Sequence, residues 1–543
     1  MSTGATRRDF VALLLGAPVA AGLAGVGAGL GCSRRPALPD GELIETGRRR
    51  GHAAVRDAGP SAGPPAGPDQ TRRCEVVIIG GGVAGLAAAW ALRRAGVRDL
   101  LVLELDDVIG GTARAHPGPV TPAPWGAHYI VAPQREQHDL VALLGELGAI
   151  EGWTSDGTAI VDEALRCREP EERLYYRGRW YPGLYQGAGA SADDVAQLRA
   201  FEAEVDRWAG WRDGAGRRAF TSPVSACSAD AEVAALDQLS FAAWLDGRGL
   251  TSPRLRWLAD YACRDDYALT AAGTSAWAGL FYFASRRPAP GAEAQAVVTW
   301  PDGNAPLVRQ LAAGAEVITG AAVTALEADA DGVIARGVGP AGPFAVAARH
   351  AVIATPAFVA RRLVPALAAR ALPPPDTGAW AVANLTLRAR PRPRGGEAPP
   401  AWDNVLYDSP SLGYVSATHQ AGADHGPTVW TWYYPFTEGV SADHRRQLES
   451  ATRADWAEVV LADLERPHPD LRDLVSRVDV AFWGHGMPRP GVGRIFDPTR
   501  RQRAEPIGRL HFAHTDLSGL ALFEEAFDHG LRAAREIIAA RVA

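Results

Sequence analysis

The sequence predicts an α/β fold: a parallel sheet covered by helices, with an α+β region inserted into it. Three observations predict it. Val76–Ile79 is a continuous β-branched run, as a strand buried on both faces requires. Gly80, Gly82 and Gly85 follow in GxGxxG spacing and lead into an apolar helix, Leu86–Ala95, that stops at Gly96. The strand–helix rhythm is then lost over residues 134–290, returns at Val297, and is lost again over 371–480.

The glycines have separate tasks. The first permits the tight strand-to-helix turn, the second lets the backbone approach a pyrophosphate, and the third lets the helix pack closely on the strand. Val83 and Ala84 lie between them at the helix N-terminus, where free N–H groups and a partial positive charge suit phosphate. The next strand, Leu100–Leu103, ends in Glu104. That carboxylate, about 20 residues past the glycines, is placed to accept hydrogen bonds from an adenosine ribose. A dinucleotide site therefore fits better than a Gly-rich turn in an ordinary α/β domain. Gly110–Gly111–Thr112–Ala113–Arg114 adds a second glycine pair followed by arginine, which a plain NAD site does not need.

With that continuation, Cys74–Arg114 resembles the FAD-binding flavoproteins of the flavin amine oxidase, phytoene desaturase and protoporphyrinogen oxidase superfamily. The resemblance implies a Rossmann-like FAD-binding domain with an inserted α+β substrate domain, and FAD as the cofactor. It also implies contacts from Gly111 and Arg114 to the FAD phosphates and ribityl chain. The expected division is signal 1–32, linker 33–72, FAD-binding segments 73–133, 291–370 and 481–543, and substrate-domain segments 134–290 and 371–480.

The composition is that of a soluble globular protein, with 47% hydrophobic and 22% charged residues over 543 positions. That length fits several domains or one large two-domain enzyme. The net charge of −6 argues against a nucleic-acid surface. All 56 basic residues are arginine, and codon bias in a GC-rich genome is the plain reading.

At the N-terminus, Thr6–Arg7–Arg8–Asp9–Phe10–Val11 resembles the twin-arginine export motif, and a modestly apolar run follows to Leu30. The alternative is an uncleaved membrane anchor, since a run of about 20 residues just spans a bilayer. Twin-arginine machinery exports folded proteins, as a chain loaded with FAD in the cytoplasm requires. The expected location is therefore the periplasm or cell envelope. Cys32, in Gly29–Leu30–Gly31–Cys32, is either a lipidated tether or an ordinary cysteine near the cleavage site. Residues 33–72 read as a spacer, since Ala58–Pro68 (AGPSAGPPAGP) can build neither helix nor strand. The five cysteines show no CxxC or metal spacing, and no metal is expected.

Further along, Trp125–Gly126–Ala127–His128–Tyr129 falls where, in the resembling flavoproteins, a glycine-containing segment runs beside the isoalloxazine ring. On that reading Gly126, Ala127 and His128 lie at the flavin; otherwise His128 is simply bonded in a turn. Residues 139–147, 192–209, 241–250 and 252–269 read as helices, and Tyr175–Tyr185 as an aromatic, turn-rich stretch. In the returning α/β segment, Trp300–Pro301–Asp302–Gly303–Asn304 resembles the family's "WPxGG" turn, with Asn304 at its second glycine. The resemblance makes Val323 an adenine contact through its backbone, and sets the strand His350–Ala354, ending at Thr355–Pro356, beside the cofactor. Thr428–Tyr434 reads as a strand with Trp430, Trp432 and Tyr434 on one face. That face either walls a pocket or packs on helices.

The last segment, Arg509–Asp516 followed by Phe523–Gly530, resembles the family's C-terminal flavin motif, which puts Asp516 and Ala526 at the cofactor. It departs from the pattern at His514, at Asp516, which comes one position late, and at Glu525, which replaces a glycine. A carboxylate at 525 would oppose a reduced, anionic flavin, so it is expected to point away.

These readings describe an exported, amine-oxidase-like FAD enzyme that transfers hydride from a small-molecule substrate to flavin N5. Two alternatives are a desaturase or protoporphyrinogen-oxidase-like enzyme on a hydrophobic substrate, and a flavin-containing electron-transfer protein without turnover. Many relatives hold a lysine that bonds a water near N5 and aids reoxidation by oxygen. This chain has none, so it passes electrons to an unknown acceptor or uses another residue. His485, between glycines in Trp483–Pro488, is the candidate base, with His128 second.

Overall fold

The computed structural model describes residues 7–15, 37–44, 46–57, 71–393, 395–422 and 424–542. Cys32 and the Ala58–Pro68 spacer lie outside them.

The expected α/β body is present. Its strands run in the order Glu316–Ile318, Leu100–Leu103, Thr71–Ile79, Gly342–Ile353, Val333–Gly339 and Ala322–Ala328, with Leu510–Phe512 beside Gly342–Ile353. The first four strands and Leu510–Phe512 are mutually parallel, and the last three of the ordered path form an antiparallel meander. The helix Val83–Arg94 starts directly at Gly82, three residues earlier than its apolar pattern suggests. It is sandwiched between the sheet and the C-terminal helix Phe523–Val542. Gly530 makes that crossing close, since a Cβ there would lie 2.2 Å from the Ala84 carbonyl oxygen.

The inserted regions join into a second, eight-stranded sheet. Its order is Leu43–Ile44, Val475–Pro488, Thr377–Leu387, Thr428–Pro435, Tyr414–Ser416, Asp403–Leu406, Glu172–Tyr176 and Arg179–Pro182. Three sequence-based boundaries change. The aromatic stretch after residue 170 is a hairpin turning at Arg177–Gly178, both with positive φ, and it extends the sheet of the second inserted segment. Residues 481–488, expected in the FAD domain, complete this sheet's longest strand. Residues 37–44 and 46–57 are no free spacer: Leu43–Ile44 pairs in parallel with Val480–Ala481, and Arg50 donates to the Leu105 carbonyl at 2.5 Å. Pattern alone misses such contacts because a two-residue edge strand has no period to detect.

Helices Ala192–Gly210, Phe241–Asp246, Pro253–Tyr267 and Ala276–Ala284 form a separate apolar core, with Ser191, Ser240, Ser252 and Ser275 as side-chain N-caps. The helix Arg7–Leu15 buries Val11, Leu14 and Leu15 against Trp456 and its neighbours, and the Tyr434 hydroxyl donates to the Leu14 carbonyl at 3.0 Å. Among the described residues no helix is long and apolar enough to cross a membrane.

Candidate active site

The glycine loop is shaped for a phosphate. Gly80 has φ +107°, and its Cβ would lie 2.3 Å from the Ala354 carbonyl oxygen. A Cβ on Gly85 would lie 1.9 Å from the Gly80 carbonyl oxygen, so both positions are fixed by protein contacts. Gly82 differs, since the nearest atom to a Cβ there is the Gly111 Cα at 4.0 Å. Its outer face is open, at the N-terminus of a helix whose first turn is Val83, Ala84 and Gly85. A pyrophosphate fits this cradle.

Glu104 braces the loop. Its Oε2 accepts from the Gly81 N–H at 2.6 Å and its Oε1 from the Asp106 N–H at 2.8 Å. Burial pushes the carboxyl pKa up, and these two N–H groups oppose the shift. Gly111, with φ +57°, faces Gly82, and Arg114 is buried in an ion pair with Asp106 below the Trp483 ring. Val323 is the second residue of the strand Ala322–Ala328, beside a bulge. Thr355 and Asp516 line a small second cavity, and the buried Thr355 hydroxyl has no hydrogen-bond partner among the described residues. Asp516 Oδ2 accepts from the Ala357 N–H at 2.7 Å. Burial acts to raise this carboxyl, but the His514 ring and that N–H outweigh it and hold it below its ordinary value. Ala526, on the C-terminal helix, packs against the core of the α/β body. Glu525 points away as expected: its Oε1 accepts from the Val224 N–H at 2.7 Å.

A large cavity of about 1510 Å³, counting its open mouth, lies between the segment that follows the glycine loop and one face of the second sheet. One side is the backbone of Thr112, Gly126 and Ala127, with Leu522–Glu524 at the start of the C-terminal helix. Ala127 donates to the Thr112 carbonyl at 3.0 Å, and Asn304 Nδ2 donates to the Tyr129 carbonyl at 3.0 Å. The Asn304 departure thus keeps its turn and ties it to this segment.

The other side is one face of the second sheet. Trp380 pairs with Trp483 and Val382 with Tyr433 in register, and all four line the cavity. The opposite face carries Trp430, Trp432 and Tyr434 opposite Leu385, Ala383 and Ala381, packed against the helix Arg453–Leu464. Of the two readings of that aromatic face, packing on helices holds. The period of two gives the cavity to Tyr433 instead.

The two candidate histidines separate. His128 lies on the cavity wall, stacked on Tyr433 with ring centroids 5.1 Å apart. The Tyr433 hydroxyl is 3.2 Å from its Nδ1 and donates to the Gly126 carbonyl at 3.1 Å. Burial lowers the His128 pKa to about 4, so the ring is neutral at ordinary pH. His485 is a correction. Trp483 pairs with Trp380 but Met487 with Gly378, so four steps along one strand match two on the other. The bulge throws His485 outward, where its ring is exposed, stacks on Phe358 at 4.1 Å and meets Thr377 Oγ1 at 3.0 Å. It does not line the cavity.

The cavity is also lined by residues that no sequence pattern singled out: Tyr261, Asp265, Asp266, Arg286 and Asp403. The Asp265–Asp266 doublet near a helix end was the only local hint, and nothing local says which way it faces.

The glycine cradle and the walled cavity together define a flavin-dependent oxidoreductase. The chain belongs to the flavin-containing amine oxidoreductase family, whose pattern matches residues 83–538. FAD is its cofactor. The tryptophan 2-monooxygenase of Allorhizobium ampelinum is 26% identical over 188 residues, which span 29% of this chain and 24% of that protein. In fold, the chain is similar to a putrescine oxidase solved with putrescine bound (TM-score 0.60, 19% identity, 86% of this chain and 100% of that one). It is also similar to the cyclohexylamine oxidase of Brevibacterium oxydans IH-35A (TM-score 0.59, 20% identity, 87% and 100%). A third similar structure is a putative protoporphyrinogen oxidase from Exiguobacterium sp. 255-15 (TM-score 0.57, 15% identity, 86% and 99%).

Proposed function

We propose that this protein is an exported amine oxidase that takes a hydride from the carbon bearing a primary or secondary amine and passes the electrons to an acceptor other than oxygen. The observation that supports it best is the cavity. It opens an aromatic, polar-floored space between the expected flavin side, Thr112 to Ala127 and Leu522 to Glu524, and the substrate sheet. Bound there, FAD supplies the hydride acceptor. Trp380, Trp483 and Tyr433 exclude water from the reacting carbon and present ring faces that attract an ammonium. Neutral His128, oriented by Tyr433, offers a hydrogen-bond partner to the uncharged amine that must precede hydride loss. Carboxylates on the walls disfavour the alternative of a hydrophobic isoprenoid or an acidic tetrapyrrole.

The test is one anaerobic titration. Purified protein should show a flavin spectrum that bleaches with amines and not with isoprenoid or tetrapyrrole substrates. Reoxidation by an electron-accepting dye should outpace reoxidation by air, since the chain lacks the lysine that serves oxygen in many relatives. Protein without flavin that takes up no added FAD, or flavin that no amine bleaches, would sink the reading.

Export is part of the same proposal and rests on Arg7–Arg8 ahead of the apolar run. The described helix Arg7–Leu15 must come away from Trp456 for the translocation machinery to bind it. Cys32 remains the candidate site for a lipid tether.

A further inference from the structure

Residues 46–57 bridge the two domains beside the expected adenosine end of the cofactor site. Thr46 Oγ1 donates to the Phe482 carbonyl at 3.1 Å, and Arg48 pairs with Glu449 at 3.5 Å, so the segment is held to the substrate domain. Gly47 turns the chain with φ +69°, and the short helix Arg48–Gly51 follows. That helix rests on Leu105, the residue after Glu104: a Cβ on Gly51 would lie 3.1 Å from Leu105 Cδ2. Arg50 fastens it there, donating to the Leu105 carbonyl at 2.5 Å and pairing with Asp107 at 2.9 Å.

The place of this strap matters because Glu104 and Val323 mark the expected ribose and adenine positions. Gly320 donates to the Asp106 carbonyl and Ala321 to the Glu104 carbonyl, each at 2.8 Å. The Glu104 loop and the start of the strand Ala322–Ala328 thus form one bank of the site, and the turn His52–Asp57 lies alongside that strand. The other bank is the helix Ala357–Leu363, which follows Thr355 and stacks Phe358 on the His485 ring. His52 is within electrostatic reach of His485, so the strap approaches both banks. A four-residue helix has no stability of its own, so its fastenings decide where it sits. Those fastenings include two ion pairs reached by solvent, which are weak. The strap can therefore open, and a dinucleotide that touches its closed form favours closure.

We propose that residues 46–57 form the outer wall of the adenosine site, closing over the bound dinucleotide and slowing its release, with Arg50 as the positioning residue. The wall requires FAD as the cofactor and is independent of which substrate the enzyme oxidises.

The experiment has two readouts, neither of which needs turnover. In the first, mass spectrometry follows trypsin cleavage after Arg48, Arg49 and Arg50 in the wild type. Cleavage should be at least about tenfold slower in the FAD-loaded protein than in the apoprotein. ADP added to the apoprotein should restore the protection, since it fills the adenosine and phosphate positions alone, and FMN should not. In the second, flavin fluorescence follows FAD release after dilution. Arg50→Ala should speed release by at least about tenfold, and Arg50→Lys, which keeps the pairing with Asp107, should recover most of the slow release. Apoprotein melting should be the same in wild type and both variants, because the Arg50–Asp107 pair is reached by solvent. Equal cleavage with and without FAD, or protection by FMN and not by ADP, overturns the wall. Release unchanged in Arg50→Ala, or faster only in step with a lost melting temperature, overturns the role of Arg50. Protection by ADP with no amine able to bleach the flavin overturns the oxidase reading and leaves the wall supported.

Discussion

Gly82 and Gly85 are chemically identical and three residues apart, yet they answer to different constraints. Gly85 is boxed in by the Gly80 carbonyl at 1.9 Å from any Cβ, whereas Gly82 has extended backbone (φ −76°) and open space in front of it. Gly85→Ala should therefore damage the fold itself, lowering apoprotein stability by about 3 kcal/mol or more. Gly82→Ala should leave apoprotein melting within about 1 kcal/mol of wild type but weaken FAD binding by at least about tenfold, because its methyl group occupies the pyrophosphate's place. Thermal melts of the apoprotein and flavin titrations of the same samples separate the two. Normal FAD affinity in Gly82→Ala would show that the cradle is not where the phosphates lie. Both glycines were legible in the sequence from the strand before them and the helix after them. Their different tasks become visible only when their neighbours are placed.

The C-terminal helix shows the same division at the scale of an element. The helix that follows the Phe523–Gly530 motif was readable from the sequence, whereas its close crossing over the glycine-loop helix at Gly530 was not. The destination of Glu525 was readable only as a need to avoid the flavin. The fold sends it to the Val224 N–H inside an apolar core, where burial raises its pKa to about 8. The direction of the pH effect follows. The folded state holds this proton above the ordinary carboxyl pKa of 4.5, and the unfolded state does not. The group's contribution to stability is therefore greatest below about pH 4.5 and is lost progressively as pH rises to about 8, by up to about 1.4 kcal/mol per pH unit. Glu525→Gln keeps an acceptor for Val224 and removes this slope. Denaturant unfolding should find it more stable than wild type by up to roughly 5 kcal/mol above pH 8, with the gap closing towards acid. A constant difference across that range would place the proton elsewhere. His485 illustrates the opposite outcome. A strand histidine two residues past a cavity tryptophan should share its face, and the bulge at 484–486 removes it, which no local pattern announces.

For the whole molecule, the export proposal makes the leader a passenger with a second possible home. Val11, Leu14 and Leu15 are buried against the substrate domain, so under that proposal the helix Arg7–Leu15 would have to leave this site to reach the translocation machinery. Arg7→Lys/Arg8→Lys keeps the charge and alters the motif. In a bacterial host it should leave the flavin-loaded protein in the cytoplasmic fraction, while wild type reaches the periplasm. An unchanged distribution would exclude the twin-arginine route.

Sequence by itself determined the α/β body, the FAD cradle and the interruption by an inserted domain. These rest on contacts within about 40 residues of chain, where strand run, glycine spacing and helix cap sit next to one another. Tertiary structure decided the cavity. Asp265, Glu172 and Asp403 lie far apart in the chain, and only the pairing of Glu172–Tyr176 with Asp403–Leu406, beside the helix Pro253–Tyr267, brings them together. The fold also gave the wall to Tyr433 rather than Trp432, because a strand's period of two divides its side chains between two faces but cannot say which face meets the cofactor.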